Sequence, residues 1–158
     1  MNGYQVGLGF DVHKFSTKKK SLILGGMKIP AAFSLEAVSD GDLILHAVSD
    51  SILGAAGLGD IGDYFPPESK QSKNIDSIDI TRFVLKKIGG KYKIENVDII
   101  IVADKPRLVK YKQAITKSLR KILVTVNVNL KIKSKEGQNI LGTKNGMSCL
   151  AVALLKEK

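Results

Sequence analysis

Three features of this chain predict an α/β or α+β sandwich, one sheet with helices on one side. The segment VNVNLKIKSK alternates cleanly, with Val126, Val128, Leu130 and Ile132 on one face and Asn127, Asn129, Lys131 and Lys133 on the other. That period of two is the mark of a half-buried strand. The segment IENVDIIIVAD carries a near-continuous apolar run, which suggests a strand buried on both faces. Helical patterns interleave with these strands, and SIDITRFVLKKIGG is plainly amphipathic. Elements in this order bury their apolar faces by layering helices on a sheet.

Taken along the chain, GYQVGLGFDVHKF reads as a first strand and SLILGGMKIP as a short hairpin turning at Gly25-Gly26. VSDGDLILHAVSDSILGAAGLGD, residues 38–60, reads as a helix. Ser39 is a good N-cap, Asp42 three residues later makes a carboxylate variant of the capping box, and the glycines after Ala56 end the helix. FPPESKQSKN is a loop, because its prolines fit neither a helix interior nor a central strand. Gly89 and Gly90 close the amphipathic helix. LVKYKQAITKSLRKIL is a further helix. MSCLAVALL fits helix or strand equally, since short apolar runs are ambiguous by pattern alone. No repeat, low-complexity tract or Pro/Ser-rich linker breaks the sequence, so one domain is expected over residues 1–158.

Composition narrows the class. A chain of 158 residues with 44% hydrophobic content can bury a sizeable core. The single cysteine, Cys149, excludes an internal disulfide and fits a reducing compartment. No secretory pattern opens the sequence, and no apolar run approaches the ~18 residues of a membrane span. The expected location is cytoplasmic, with a plastid-type compartment as the alternative. The net charge of +10 invites a nucleic-acid reading. Only Arg82, Arg107 and Arg120 are arginines, however, and arginine is the better bidentate reader of phosphates and bases. The scattered lysines rank first as a solvated surface, second as a match to an anionic small substrate, and third as a nucleic-acid footprint.

The residues that carry chemistry begin in GLGFDVHKF. On a strand, Asp11 and His13 point the same way, so a carboxylate oxygen and an imidazole nitrogen converge, as at the start of a metal site. From this fragment alone a core histidine bonded to a structural aspartate is the favoured reading. The second histidine changes the balance. Asp42, His46 and Asp50 recur every four residues along an otherwise apolar helix, and so share one stripe. A narrow polar stripe on a buried helix fits a lined cavity. Asp11, His13 and His46 together offer O, N and N with a fourth tetrahedral position open, the pattern of a catalytic zinc site.

GLGFDVHKF, LGGMKIP, SDGDLILHAVSDSILGAAGLGDIGDYFP, NVDIIIVADKPRL and KEGQNILGTKNGMSCLAVALL together resemble the 2-C-methyl-D-erythritol 2,4-cyclodiphosphate synthase family of the non-mevalonate isoprenoid pathway. The resemblance covers nearly the whole chain. It implies an α+β fold, a four-stranded mixed sheet packed on helices on one side with a small extra hairpin, assembled as a homotrimer with active sites between neighbours. It makes MSCLAVALL a strand. It implies that Asp11, His13 and His46 hold zinc, and that Glu136 holds a second divalent ion, Mg²⁺ or Mn²⁺. The implied substrate is a cytidine diphosphate ester of methylerythritol 2-phosphate, which closes to a cyclic diphosphate with loss of CMP.

Other roles carry over by position. Asp11, His13 and Ser39 fall in the substrate pocket, and Asp60, Ile61, Gly62 and Phe65 in the segment at the ribose. Asp60 alone would read as a turn aspartate. Ala103, Lys105, Pro106, Arg107 and Leu108 match the cytidine loop, and Lys133, Ser134 and Glu136 the diphosphate and catalytic segment. Asp50 reads either as an orienting or substrate contact or as a plain helix polar residue. Three positions depart from the family pattern: Val38 replaces a histidine, Pro67 an aspartate, and Thr143 an arginine that in several members binds isoprenoid diphosphates on the trimer axis. Weak binding of such diphosphates is the expectation here. The resemblance implies neither a nucleic-acid nor a membrane partner.

Overall fold

A computed structural model describes residues 3–18, 20–139 and 144–158. The first strand, β1 (Tyr4–Ser16), runs antiparallel to the last, β7 (Gly146–Glu157), which in turn runs antiparallel to β5 (Tyr92–Val102). β6 (Val128–Lys133) adds to β5 in parallel, which makes the sheet mixed. Four long strands form its body. A two-residue strand, β4 (Ser34–Leu35), extends the edge beside β1, giving the order β4-β1-β7-β5-β6. The hairpin β2 (Leu22–Leu24) and β3 (Met27–Ile29) stands apart as its own two-stranded sheet. MSCLAVALL is therefore strand, paired on both sides.

Three helices complete the α+β fold: α1 (Leu43–Ala55), α2 (Ser77–Ile88) and α3 (Lys112–Leu123). α1 lies on β1, β7 and β5, α3 lies on β6, and α2 packs against both helices. The core between them is aliphatic, with Leu45, Val48, Ile52, Ile99, Ile101 and Ala153 fully buried. Among the described residues no helix is long and apolar enough to cross a membrane.

Three expectations need correcting. The helix predicted over 38–60 begins at Leu43, and its N-cap is Asp42, not Ser39. The Asp42 carboxylate accepts the backbone N–H groups of Ile44, Leu45, Gly25 and Gly26, the last two at 2.8 and 2.6 Å. Gly25 and Gly26 have φ of +61° and +75°, so the hairpin turn aims two donors at this carboxylate. The Asp42 cap accepts from both the helix and the hairpin, whereas the Ser39 hydroxyl is engaged by Gly41 N–H and faces His46 instead of the helix start. Within the single chain the apolar run of β5 is buried on one face only. Val97, Ile99 and Ile101 face the helices, whereas Ile100 is half-buried on the open face beside Leu150, Phe10, Leu8 and Val152. Val126, placed in the strand by its alternation, precedes β6 and is exposed, because the chain has only just left α3 through a left-handed Val124.

Gly7 and Gly9 set how closely α1 approaches β1. A Cβ on Gly9 would lie 1.8 Å from the carbonyl oxygen of Ala47, and one on Gly7 2.1 Å from that of Ser51. Strand and helix thus meet backbone to backbone, which brings His46 against Asp11. A Gly9→Ala substitution is expected to lift α1 from the sheet, at a cost on the order of 3 kcal/mol for overpacking. Urea unfolding that shows a loss under about 0.5 kcal/mol would contradict this contact.

Candidate metal centre and substrate cavity

β1 presents Asp11 and His13 from one face, as the period of two requires. α1 presents His46 from its first turn, just past the Asp42 cap. Asp11 Oδ2 lies 2.8 Å from His13 Nε2 and 2.9 Å from His46 Nδ1. Among the described residues these three form a group able to hold a metal ion, their donor atoms all within 4.8 Å of one another. His13 Nδ1 donates to the carbonyl oxygen of Glu36 at 2.6 Å, which leaves Nε2 as the nitrogen facing Asp11. His46 Nε2 faces away from Asp11, 2.9 Å from Ser77 Oγ and 3.2 Å from Ser39 Oγ. A carboxylate and two imidazoles are a donor set for a divalent metal ion.

The electrostatics are those of a ligand set. Burial alone would raise the Asp11 carboxyl, but hydrogen bonds from His13 and His46 and their charge hold it well below the usual carboxylate range. Burial works against the charged form of His46, yet the Asp11 hydrogen bond and the charges of Asp11, Asp42 and Asp40 raise its pKa. Asp11 is thus anionic at any physiological pH, ready to bind a cation.

His13 and His46 open onto a cavity of about 220 Å³ lined also by Ser39, Ile61, Gly62 and Phe65, as expected, and by Ala37, Val38, Pro67, Ser72, Ile75 and Ile80, of which Val38 and Pro67 are departures from the family pattern; Asp11 and Asp60, expected in the pocket, do not line it. Ser39 Oγ accepts Gly41 N–H at 3.1 Å, so its role is in the turn and cavity wall. Asp60, exposed, caps a short 3₁₀ turn (Ile61–Asp63) by accepting Asp63 N–H at 3.2 Å. Asp50 ties this turn to α1, accepting Ile61 N–H at 2.8 Å.

Burial pushes the Asp50 carboxyl up to about 6, and the charges of Asp60 and Asp11 add to the rise while the Ile61 bond opposes it. Its unfolded value is about 3.9. The raised value means that its contribution to stability is full below the unfolded pKa and is lost as pH rises through about 6. Asp50→Asn, which keeps an acceptor for Ile61, is therefore expected to stabilise the metal-free protein at pH 7.5. The gain is on the order of 1–2 kcal/mol, the group being partly exposed and so partly screened. The advantage should vanish below about pH 4. Equal urea midpoints at pH 7.5 would refute it.

The remaining expected residues gather elsewhere. Ala103 N–H donates to the carbonyl of Lys133 at 2.9 Å and Lys135 N–H to Asp104 at 2.8 Å, so the segment 103–108 and the segment 133–136 lie side by side beyond β5 and β6. The Ser134 hydroxyl donates to the Glu136 carboxylate. Lys105 Nζ stands 5.1 Å over the Phe15 ring and 5.6 Å over that of Phe33. None of Ala103, Lys105, Pro106, Arg107, Leu108, Lys133, Ser134 or Glu136 lines the cavity of the same chain. Thr143 lies outside the described residues.

Ser77 and Asp40 were not foreseen as site residues. The Asp40 carboxylate accepts both the hydroxyl and, at 3.1 Å, the N–H of Ser77. Ser77 is 31 residues from His46, so no local spacing could reveal their contact.

An α+β layer with an Asp-His-His donor set at the wall of an apolar cavity defines a metal-site class of protein. The chain belongs to the YgbB family, whose model matches residues 4–156. It is 40% identical to the 2-C-methyl-D-erythritol 2,4-cyclodiphosphate synthase of Clostridioides difficile over 96% of this chain and 95% of that protein. It is 41% identical to that of Wigglesworthia glossinidia brevipalpis over 97% and 99%. Among solved structures, the CDP complex of Plasmodium falciparum IspF matches with a TM-score of 0.84 at 34% identity, covering all of this chain and 99% of that one. The bifunctional IspDF of Campylobacter jejuni matches with a TM-score of 0.92 at 34% identity. The match covers all of this chain but only 43% of that longer protein.

Proposed function

We propose that this chain, as one cyclodiphosphate synthase domain over residues 1–158, converts 4-diphosphocytidyl-2-C-methyl-D-erythritol 2-phosphate to 2-C-methyl-D-erythritol 2,4-cyclodiphosphate and CMP. On this reading it is a phosphorus–oxygen lyase of the non-mevalonate isoprenoid pathway, acting in the cytoplasm. The observation that carries the reading is the convergence of Asp11, His13 and His46 at the wall of an apolar cavity, in a chain 40% identical to enzymes of that name. The 2-phosphate oxygen attacks the β-phosphorus, the bond from that phosphorus to the bridging oxygen breaks, and CMP carries the electron pair away. No protein nucleophile is needed, so catalysis rests on positioning and on neutralising charge.

When bound, zinc on Asp11, His13 and His46 would supply a Lewis acid for the β-phosphate, and Mg²⁺ or Mn²⁺ on Glu136 would neutralise charge between the α- and β-phosphates. Ser39 and the Ile61–Gly62 backbone, with Phe65 and Asp60, would hold the sugar portions. Ala103 to Leu108 would read the cytosine, and Lys133 and Ser134 would grip the diphosphate. A homotrimer explains why these latter residues are absent from the cavity wall of their own chain: a neighbour would contribute them. The open sheet face, with Val6 68% and Leu8 64% exposed, supports such an assembly.

The test is ³¹P NMR of the purified protein with the cytidylyl substrate, zinc and Mg²⁺. Two coupled resonances of a cyclic diphosphate and one of CMP are expected. Inorganic phosphate or an open-chain hydrolysis product in their place would overturn the reading in favour of a phosphohydrolase.

A further inference from the structure

The geometry points to Asp40 and Ser77 as positioning residues that fix which nitrogen of His46 is offered to the metal. This rests on the metal reading of Asp11, His13 and His46. His46 lies on α1, Ser77 is the first residue of α2, and Asp40 precedes α1, so three segments meet at one buried ring.

Each hydrogen bond has a forced direction. The Asp40 carboxylate is a pure acceptor when ionised, so the Ser77 hydroxyl next to it must donate its proton to Asp40. The Ser77 oxygen is then left with lone pairs toward His46 Nε2, 2.9 Å away, and that nitrogen must carry the hydrogen. Without a metal, Nδ1 donates to Asp11 Oδ2 at 2.9 Å; with a cation on Asp11 it is this hydrogen that is displaced, because Nε2 keeps its own on Ser77, and Nδ1 is left as the nitrogen with the electron pair. Ser39 Oγ, 3.2 Å from Nε2, can accept the same hydrogen more weakly. Ser77 is fully buried and His46 only 8% exposed, so water does not compete strongly for these bonds. Such outer partners orient the ring and select its tautomer in metal sites generally.

The carboxylate also accepts Asp42 N–H at 3.1 Å, so it joins the α1 cap, the α2 start and the ligand ring. Asp40→Asn leaves one oxygen for three donors: its NH₂ must face either the Ser77 N–H or the Ser77 hydroxyl and the Asp42 N–H, so the fixed acceptor of the Ser77 hydroxyl is lost or displaced. A hydroxyl freed in this way can donate to His46 Nε2, which would put the ring hydrogen on Nδ1 and block the ligand position. Ser77→Ala only deletes the link and leaves Ser39 as a substitute acceptor.

Zinc affinity by chelator competition on the full chain separates these cases. Ser77→Ala is expected to weaken zinc about 10-fold and Asp40→Asn up to about 100-fold, the range typical of outer-partner losses. Asp76→Ala is the control for α2 stability. Asp76 caps that helix through Ile78 N–H at 2.7 Å without touching the ring, so its loss should lower the melting temperature and leave zinc affinity unchanged. With only two histidines in the chain, ¹⁵N shifts of the zinc-loaded protein should give His46 as an Nε2–H imidazole ligated through Nδ1. Zinc affinities of S77A and D40N within 2-fold of the unsubstituted chain would overturn the assignment, as would an equal loss in D76A or a ligated Nε2. If the unsubstituted protein itself fails to hold zinc better than His46→Ala, the metal reading falls first and takes this one with it.

Discussion

Replacing His46 with alanine is expected to strip the protein of tightly held zinc while leaving it folded. The two remaining donors, Asp11 and His13, sit on one strand and approach a cation from one side only. His46 closes the set from α1, and its loss removes a ligand outright, so affinity should fall by more than the 10–100-fold of an outer-partner substitution. Folding should survive, because the core around Leu45, Val48 and Ile52 does not depend on the imidazole and the Asp42 cap stays intact. Metal analysis after gel filtration, together with circular dichroism, reads both outcomes. Zinc undiminished in a folded His46→Ala protein would reject Asp11, His13 and His46 as the site.

The second large effect is expected at Glu136, with zinc untouched. Glu136→Gln keeps the size of the side chain and an acceptor for the Ser134 hydroxyl, yet removes the charge that would balance a second cation. Mg²⁺ is usually held by one or two carboxylates plus substrate phosphates, so a site with one charged protein ligand has little redundancy. On the proposed reaction charge would gather on the α-phosphate as CMP departs, so kcat should drop about 10²–10³-fold, more than substrate binding weakens. Raised Mg²⁺ or Mn²⁺ should restore part of the rate. If Glu136 serves a neighbouring subunit, His46→Ala and Glu136→Gln chains should each be nearly inactive alone and regain activity when co-assembled. Absence of complementation in verified mixed assemblies would place both groups in one chain. Near-normal kcat at low Mg²⁺ would remove Glu136 from the reaction.

Much of the fold is legible in the sequence because the apolar periods are strong. The alternation in VNVNLKIKSK and the amphipathic α2 are local patterns, and both elements form close to where they are expected. Boundaries were another matter. Nothing around Ser39 says that Asp42 is the better cap, since its advantage comes from Gly25 and Gly26, which only the folded hairpin brings to it. MSCLAVALL, ambiguous alone, becomes strand because β1 and β5 satisfy its backbone on both edges.

At the site the division is the same. The sequence by itself determined that Asp11 and His13 share a face, through the period of a strand, and that His46 belongs to a polar stripe, through the period of a helix. Their residue types joined the two as one O, N, N donor set, and the resemblance supported it. Only the tertiary structure decided that they touch, because the contact depends on the missing side chains of Gly7 and Gly9, which let α1 settle onto β1. It also decided that Asp50 braces the 3₁₀ turn, that Asp60 caps it, and that Asp40 reaches His46 through Ser77. Those contacts link residues up to 37 positions apart, and hydrogen-bond direction has no periodic signature in sequence. Packing alone brings such groups within reach, and the chemistry of each donor and acceptor then fixes what they do.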